Sequence, residues 1–296
     1  MSTNLPQPLC GIIPPLVTPL KNNETLDVTS LERLVNHLIN GGVHGLFILG
    51  TTGEEQSLSY AVRQQMIRET CRINAGRLPV LVCITDTSIV ESIHLAELAQ
   101  FYEELVPQLP LPVFLYNMPS HVKVNFAPAT VARLAQMPQV VGLKDSSANA
   151  TYFQSVMYAV RTGNNGEFAP RADFAMLCGP EEMTGECVLM GANGGVNGGA
   201  NMFPELYVAM YDAAVRADIT EMRRLQQFIM QISATIYSIG KHGSSYLKGL
   251  KCACSVLGVI DDDFVASPFY KFNQPERDKV ERALAALPIK DGKLIF

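Results

Sequence analysis

Short, nearly continuous apolar runs, separated by longer segments of helical period, constrain this chain more than any other feature. The runs are Ile12–Val17, Gly45–Leu49, Val80–Thr85, Val113–Asn117, Val140–Lys144, Phe174–Gly179 and Gly195–Asn197. Apolar character without alternation suits strands of a parallel sheet covered on both faces. Between them the helical period marks Thr29–Asn40, Tyr60–Asn74, Ile89–Gln100, Pro128–Ala135, Thr151–Arg161, Glu181–Met190 and Pro204–Ala217. The first of these opens on cap-type residues and stops at Gly41-Gly42. Ile219–Leu257 and Gln274–Leu287 read as helix, with no further strand signal. Successive strands start about 20 to 35 residues apart, the size of a βα unit. Alternation of this kind throughout a chain predicts an α/β fold with a parallel sheet.

The chain has 296 residues, 48% of them hydrophobic, enough to bury a full core in one large domain, such as a barrel, or in two ordinary ones. The expected architecture is a (β/α)8 TIM barrel over residues 1–216, with a C-terminal helical region over 217–296 packed on it. A doubly wound open sheet is the rival, but Pro14-Pro15 stands where its G-x-G-x-x-G fingerprint belongs. The strand count is one short: seven runs are found and the barrel closes on eight. The segment Ile89–Gln100 leads straight into Phe101–Val106 with no Gly, Pro or Asn at Gln100–Phe101. One βα unit therefore reads as missing at Gln100/Phe101.

Net charge is -5 with no basic run, so the electrostatic footprint of nucleic-acid binding is absent. The seven cysteines are odd in number and irregular in spacing, and Cys252 and Cys254 do not form C-x-x-C. They predict a reducing, cytoplasmic setting with neither disulfide framework nor zinc site. The start, MSTNLPQPLCG, lacks the charged and apolar regions of a secretory signal. No apolar stretch is long enough to span a membrane. No H-x-x-x-H or acidic cluster argues for a metal.

Candidate chemistry lies at four strand ends, since barrel enzymes build their sites at the C-terminal ends of their strands. Gly50-Thr51-Thr52-Gly53-Glu54 offers two hydroxyls and two glycines before a helix, an anion-binding turn suited to a carboxylate. The plainer reading, and by itself the leading one, is a βα turn with a capping threonine. Tyr116, in Tyr116-Asn117-Met118-Pro119-Ser120, can relay a proton to a substrate oxygen, or be a core tyrosine with its hydroxyl at the rim. Lys144 ends the apolar run Val140-Val141-Gly142-Leu143. A charged amine buried there is costly, which favours the neutral, nucleophilic form that attacks a ketone. The plainer reading is a lysine reaching to water. Gly179-Pro180-Glu181-Glu182 and the run Gly191–Asn201, which contains Val196, let a substrate approach the backbone closely. Loops in these places also bind phosphate in many barrels. Glu181 and Glu182 either accept hydrogen bonds from substrate hydroxyls or favour a helix N-terminus. His37, His44 and His94 lie without ligand spacing, while His121 follows the Tyr116 loop.

Taken in order, G-T-T-G-E at 50–54, Y-N-M-P-S at 116–120, G-L-K-D-S at 142–146 and the glycine-rich strand near 194–199 resemble the dihydrodipicolinate synthase and N-acetylneuraminate lyase family of class I aldolases. The resemblance runs from Pro15-Leu16-Val17-Thr18-Pro19 to the C-terminal helices. It implies that Lys144 forms a Schiff base with C2 of pyruvate or another 2-oxo acid, and that Tyr116 shuttles the aldol proton. Thr51, Thr52 and Gly53 would hold the carboxylate, and Gly179, Glu181, Glu182, Val196 and His121 would line the substrate site. No metal or separate cofactor is then implied, and a homotetramer built from dimers is. His121 stands where dihydrodipicolinate synthases typically carry an arginine for the second substrate's carboxylate. Tyr246-Leu247-Lys248-Gly249-Leu250-Lys251 looks more like the lyase and sugar-acid aldolase branch. Gly198 falls about where sialic-acid lyases place a serine. These departures lean toward a 2-oxo-3-deoxy sugar-acid aldolase. The alternatives are condensation of pyruvate with aspartate semialdehyde, and a non-catalytic oxo-acid-binding barrel. Family comparison puts the missing unit at about 25–30 residues. Either the protein lacks it or the sequence as read omits it. A true deletion would expose two unpaired strand edges, which favours omission.

Overall fold

The computed structural model describes residues 7–84, 111–290 and 292–296. The expected helix Ile89–Gln100, the junction at Gln100/Phe101 and the end of the Val80–Thr85 run lie outside the described residues. The described residues divide into two compact units, one of residues 7–11 and 111–196, the other of residues 12–84, 197–290 and 292–296.

In the first unit the sheet runs β6 (Val113–Asn117), β7 (Val140–Asp145), β8 (Ala175–Cys178) and β9 (Gly194–Gly195), all parallel, with Gly11 of β1 (Gly11–Ile12) beside β9. Three helices belong to these strands: α4 (Pro128–Leu134), α5 (Ala150–Gly166) and α6 (Thr184–Leu189). A short α3 (Pro119–Val122) follows β6. Helix α5 starts where the Asn149 side chain accepts from Tyr152 N–H and leaves helical geometry at Gly163–Asn165, all at positive φ. The strands' alternation sorts their side chains. Leu115, Leu143, Met176 and Cys178 join Val131, Leu134, Phe153, Val156, Met157 and Val160 in one buried core between sheet and helices. Burying a side chain of this size contributes about 1.5–3 kcal/mol. Phe114, Tyr116, Gly142 and Lys144 alternate to the other face. Gly142 is required there, because a Cβ would stand 2.3 Å from the Phe114 ring and 2.6 Å from the Ala175 carbonyl oxygen.

In the second unit β4 (Leu46–Ile48) and β5 (Val80–Val82) pair in parallel, and Pro15 bridges to Phe47 on the other side of β4. Helix α1 (Val28–Asn40) starts on Asp27, whose carboxylate accepts from Ser30 N–H, and buries Leu31, Leu34, Val35 and Leu38 at helical spacing. Helix α2 (Tyr60–Asn74) starts on Ser59. Four further helices follow: α7 (Pro204–Val215), α8 (Ile219–Thr235), α9 (Ser245–Val256) and α10 (Gln274–Ala285).

Several boundaries differ from the sequence expectation. The Glu181–Met190 segment divides into a 3-10 turn, Glu181–Met183, and the short α6. The C-terminal region is not wholly helical, because β10 (Ile289–Lys290) and β11 (Lys293–Leu294) form an antiparallel hairpin. Strands of two residues are too short to show a period, and only Asp291-Gly292, a hairpin-turn dipeptide, marks it. A second hairpin, β2 (Leu20–Asn22) with β3 (Thr25–Leu26), lies between the first expected strand and α1.

Candidate active site

Parallel pairing of β6 with β7 sets Tyr116 directly beside Lys144. Both side chains emerge on the sheet face turned away from the core of α4 and α5. Lys144 Nζ lies 4.2 Å from the centroid of the Tyr116 ring. Lys144 is partly buried, and its neighbours along β7 are fully so. The Tyr116 ring thus packs directly against the Lys144 amine on this face of the sheet.

On the opposite face the residues next in sequence make a second pair. Asn117 Nδ2 donates to Asp145 Oδ1 at 2.7 Å, and Ser147 donates to the same carboxylate through its N–H at 3.1 Å and its hydroxyl at 2.8 Å. Asn117 Oδ1 accepts from Phe126 N–H at 3.3 Å. These bonds fix the ends of β6 and β7, and therefore the register of Tyr116 and Lys144. Burial raises the Asp145 carboxyl above its usual range, against the pull of Asn117 and Ser147. Cys178 faces Asp145 across the next pairing, and the neighbouring Cys187 thiol, with burial, pushes its own thiol up, so it is a poor nucleophile.

Gly179 N–H donates to the Asp145 carbonyl at 2.7 Å, and a Cβ at 179 would stand 2.3 Å from Ser146 Oγ. Glu181 is buried in its 3-10 turn and Glu182 is half-buried beside it. Val196 is buried, its N–H donating to the Cys178 carbonyl. His121 is exposed on α3, with Nδ1 3.1 Å from Ser120 Oγ.

In the second unit Thr51, Thr52 and Gly53 form a single 3-10 turn, entered through Gly50 and left through Glu54 at φ 60°. Thr52 and Gly53 are buried and Thr51 is exposed. Leu49, which ends β4's run, is also at positive φ, 59°. A branched residue there signals backbone strain, a feature that clusters at functional sites. Gly198 follows β9 and packs against α9: a Cβ at 198 would fall 1.6 Å from the Tyr246 hydroxyl oxygen. The Tyr246 phenol therefore occupies the space that a larger residue at 198 would need. Among the described residues no group of three or more His, Cys, Asp or Glu could hold a metal ion, and no helix is long and apolar enough to cross a membrane.

The sequence model of the Dihydrodipicolinate synthetase family matches residues 8–102 and 95–287, almost the whole chain. The chain belongs to this family. A curated member, the probable 2-dehydro-3-deoxy-D-pentonate aldolase YjhH of Escherichia coli (strain K12), is 28% identical over 93% of this chain and 96% of its own length. The 4-hydroxy-tetrahydrodipicolinate synthase of Rhodospirillum centenum is 28% identical over 96% and 99%. A solved structure of dihydrodipicolinate synthase from Bacteroides thetaiotaomicron is 60% identical, covers 95% of this chain and 100% of its own, and superposes with a TM-score of 0.89. That likeness carries the fold, so the chain has the α/β barrel expected from its alternation. It is an enzyme of this synthase and aldolase family.

The comparisons also bear on the missing unit. The alignment to the E. coli relative spans 301 positions, while 93% of 296 residues is about 275, so about 26 of the relative's residues face none here. For the R. centenum relative, 308 positions against about 284 residues leave about 24. The family model's two matched stretches meet at residues 95–102, the place where the sequence lacks a turn.

Sequence reasoning did not single out three structural features beside the candidate segments: the Asn117–Asp145 bond, the Thr18 hydroxyl and the Lys251 amine. Thr18 Oγ1 donates to the Gly53 carbonyl at 2.7 Å, and Lys251 reaches Glu54. A signal for Lys251 existed. It stands within the apolar stripe Leu247, Leu250, Cys254 of α9, where a solvated lysine does not belong.

Proposed function

We propose that this chain is a class I carbon–carbon lyase that binds a 2-oxo acid as a Schiff base on Lys144. The observation that carries the reading is Lys144 Nζ held 4.2 Å over the Tyr116 ring on one sheet face. In the cleavage direction the neutral Lys144 amine adds to the C2 ketone, and the carbinolamine loses water to give an iminium. The C3–C4 bond then breaks, and its electron pair enters the iminium to give an enamine. Tyr116 takes the proton of the C4 hydroxyl as the aldehyde leaves. Protonation of the enamine at C3 and hydrolysis release pyruvate and restore the amine. Thr51, Thr52 and Gly53 hold the carboxylate, and Gly179, Glu181, Glu182, Val196 and His121 line the remainder. The chemistry requires no metal or separate cofactor.

The aldehyde half is assigned to a 2-oxo-3-deoxy sugar acid. Support comes from the E. coli aldolase relative and from His121 at the arginine position of the synthases. Condensation of pyruvate with aspartate semialdehyde is the second reading, favoured by the name of the 60% identical structure. The family resemblance further supports a cytoplasmic homotetramer. Borohydride added with pyruvate is expected to leave a reduced adduct on Lys144, located by peptide mass spectrometry. An adduct on another lysine, or none, overturns the mechanism. Pyruvate release from oxo-sugar acids, set against pyruvate consumption with aspartate semialdehyde, separates the two substrate readings.

A further inference from the structure

Two motifs about 200 residues apart meet in one buried ion pair. Lys251 of α9 and Glu54, the last residue of the Gly50–Glu54 turn, are 2.5 Å apart, and both side chains are fully buried. Lys251 Nζ also donates to the Thr18 carbonyl at 2.8 Å, and Glu54 Oε2 accepts from Ala266 N–H at 2.6 Å. Thr18 closes the ring, since its hydroxyl donates to the Gly53 carbonyl at 2.7 Å. The turn is thus gripped at consecutive residues: Gly53 by Thr18, and Glu54 by Lys251 and Ala266.

A buried ion pair is a weak stabiliser, because desolvating both charges offsets their attraction, and a well-packed apolar pair often does as well. Its use here is geometric. The turn is left through a non-glycine residue at φ 60° and entered past Leu49 at φ 59°, conformations that persist only where the surroundings impose them. Charge-assisted bonds to both Glu54 oxygens fix that residue in place and with it the direction of Thr51 and Thr52.

We propose that Lys251, Glu54 and Thr18 form a positioning clamp that fixes the Thr51–Thr52–Gly53 turn in the geometry needed to receive the substrate carboxylate. The inference rests on the carboxylate role proposed above for that turn. In this reading the clamp acts on the carboxylate turn and takes no part in the imine chemistry. Loosening it should therefore weaken oxo-acid binding and leave the imine step intact.

The test compares wild type, Thr18→Val, Thr18→Ser and the doubly neutral Glu54→Gln/Lys251→Met, each checked for folding by circular dichroism and for assembly by light scattering. Thr18→Val keeps shape and charge and removes one hydroxyl. The expected result is a KM for pyruvate raised about tenfold or more in Thr18→Val and in the double variant, with kcat within about threefold and borohydride trapping retained at saturating pyruvate. Thr18→Ser should restore KM. A folded Thr18→Val enzyme with the wild-type KM overturns the clamp, as does a fall in kcat at constant KM. Should the double variant not fold, Thr18→Val decides alone. If wild type traps no pyruvate on Lys144, the Schiff-base reading falls and the clamp with it. If it traps and Thr18→Val is unshifted, the clamp alone falls.

Discussion

Tyr116 is asked to do two things, and they can be separated. Its ring holds Lys144 Nζ at 4.2 Å, and its hydroxyl is the proposed proton carrier. Tyr116→Phe keeps the ring and removes the carrier. The expected outcome is a kcat lowered by about 10²- to 10⁴-fold, the usual reach of general acid–base catalysis, with trapping of pyruvate on Lys144 preserved. Steady-state turnover beside borohydride labelling checks this, and a variant that traps no pyruvate would show that the hydroxyl is needed to form the imine. Lys144 stood out in the sequence as the proposed nucleophile because a charge ends an otherwise apolar run. The Asn117–Asp145 bond at 2.7 Å was not, since nothing in a linear chain says which residues of two strands will face each other. Register decides it.

Among the elements, β6 and α2 have the bounds expected from the sequence, Val113–Asn117 and Tyr60–Asn74. Both carry strong local signals: a clean apolar run in one, a serine cap in the other. Helix α10 is specified just as locally. The Asn273 side chain accepts from Glu276 N–H and the Glu276 side chain from Asn273 N–H, with Pro275 in the first turn. Asn273→Ala is expected to cost about 1 kcal/mol of stability, read as a lower urea midpoint at unchanged slope. No change would mean that α10 is held by packing of Val280 and Leu284 alone. The hairpins β2–β3 and β10–β11 went unread because elements of two or three residues owe their pairing to the surface they sit on, not to a period of their own.

At the scale of the molecule, two partly buried histidines make stability depend on pH. Burial lowers both His37 and His44 from 6.5, His37 against its bond to the Met202 carbonyl and His44 against Asp212. A histidine whose folded value is depressed binds fewer protons in the folded than in the unfolded state. Its stabilising contribution is present above 6.5 and is lost as pH falls from there through the folded value. The unfolding temperature should accordingly drop between about pH 7.5 and about pH 5.5, and His37→Gln/His44→Gln should reduce that drop. Thermal unfolding of both proteins across the range checks it, and equal drops overturn it. The barrel itself was legible from alternation alone. The junction without turn residues lies where the two stretches matched by the family model meet, at residues 95–102, and about 26 positions of the E. coli relative have no counterpart in this chain.

What the sequence determined by itself is whatever depends on near neighbours in the chain. Apolar runs set the strands, caps set the helix starts, and a lone lysine at the end of Val140-Val141-Gly142-Leu143 marked where the chemistry should begin. Tertiary structure decided the rest. It set Tyr116 beside Lys144 through parallel register, filled the space at Gly198 with the Tyr246 phenol, and joined Lys251 to Glu54. The physical reason is the same in each case. These contacts join residues from roughly 30 to about 200 positions apart, and side chains so far apart in the chain acquire a mutual geometry only when sheet pairing and core packing fix both backbones at once.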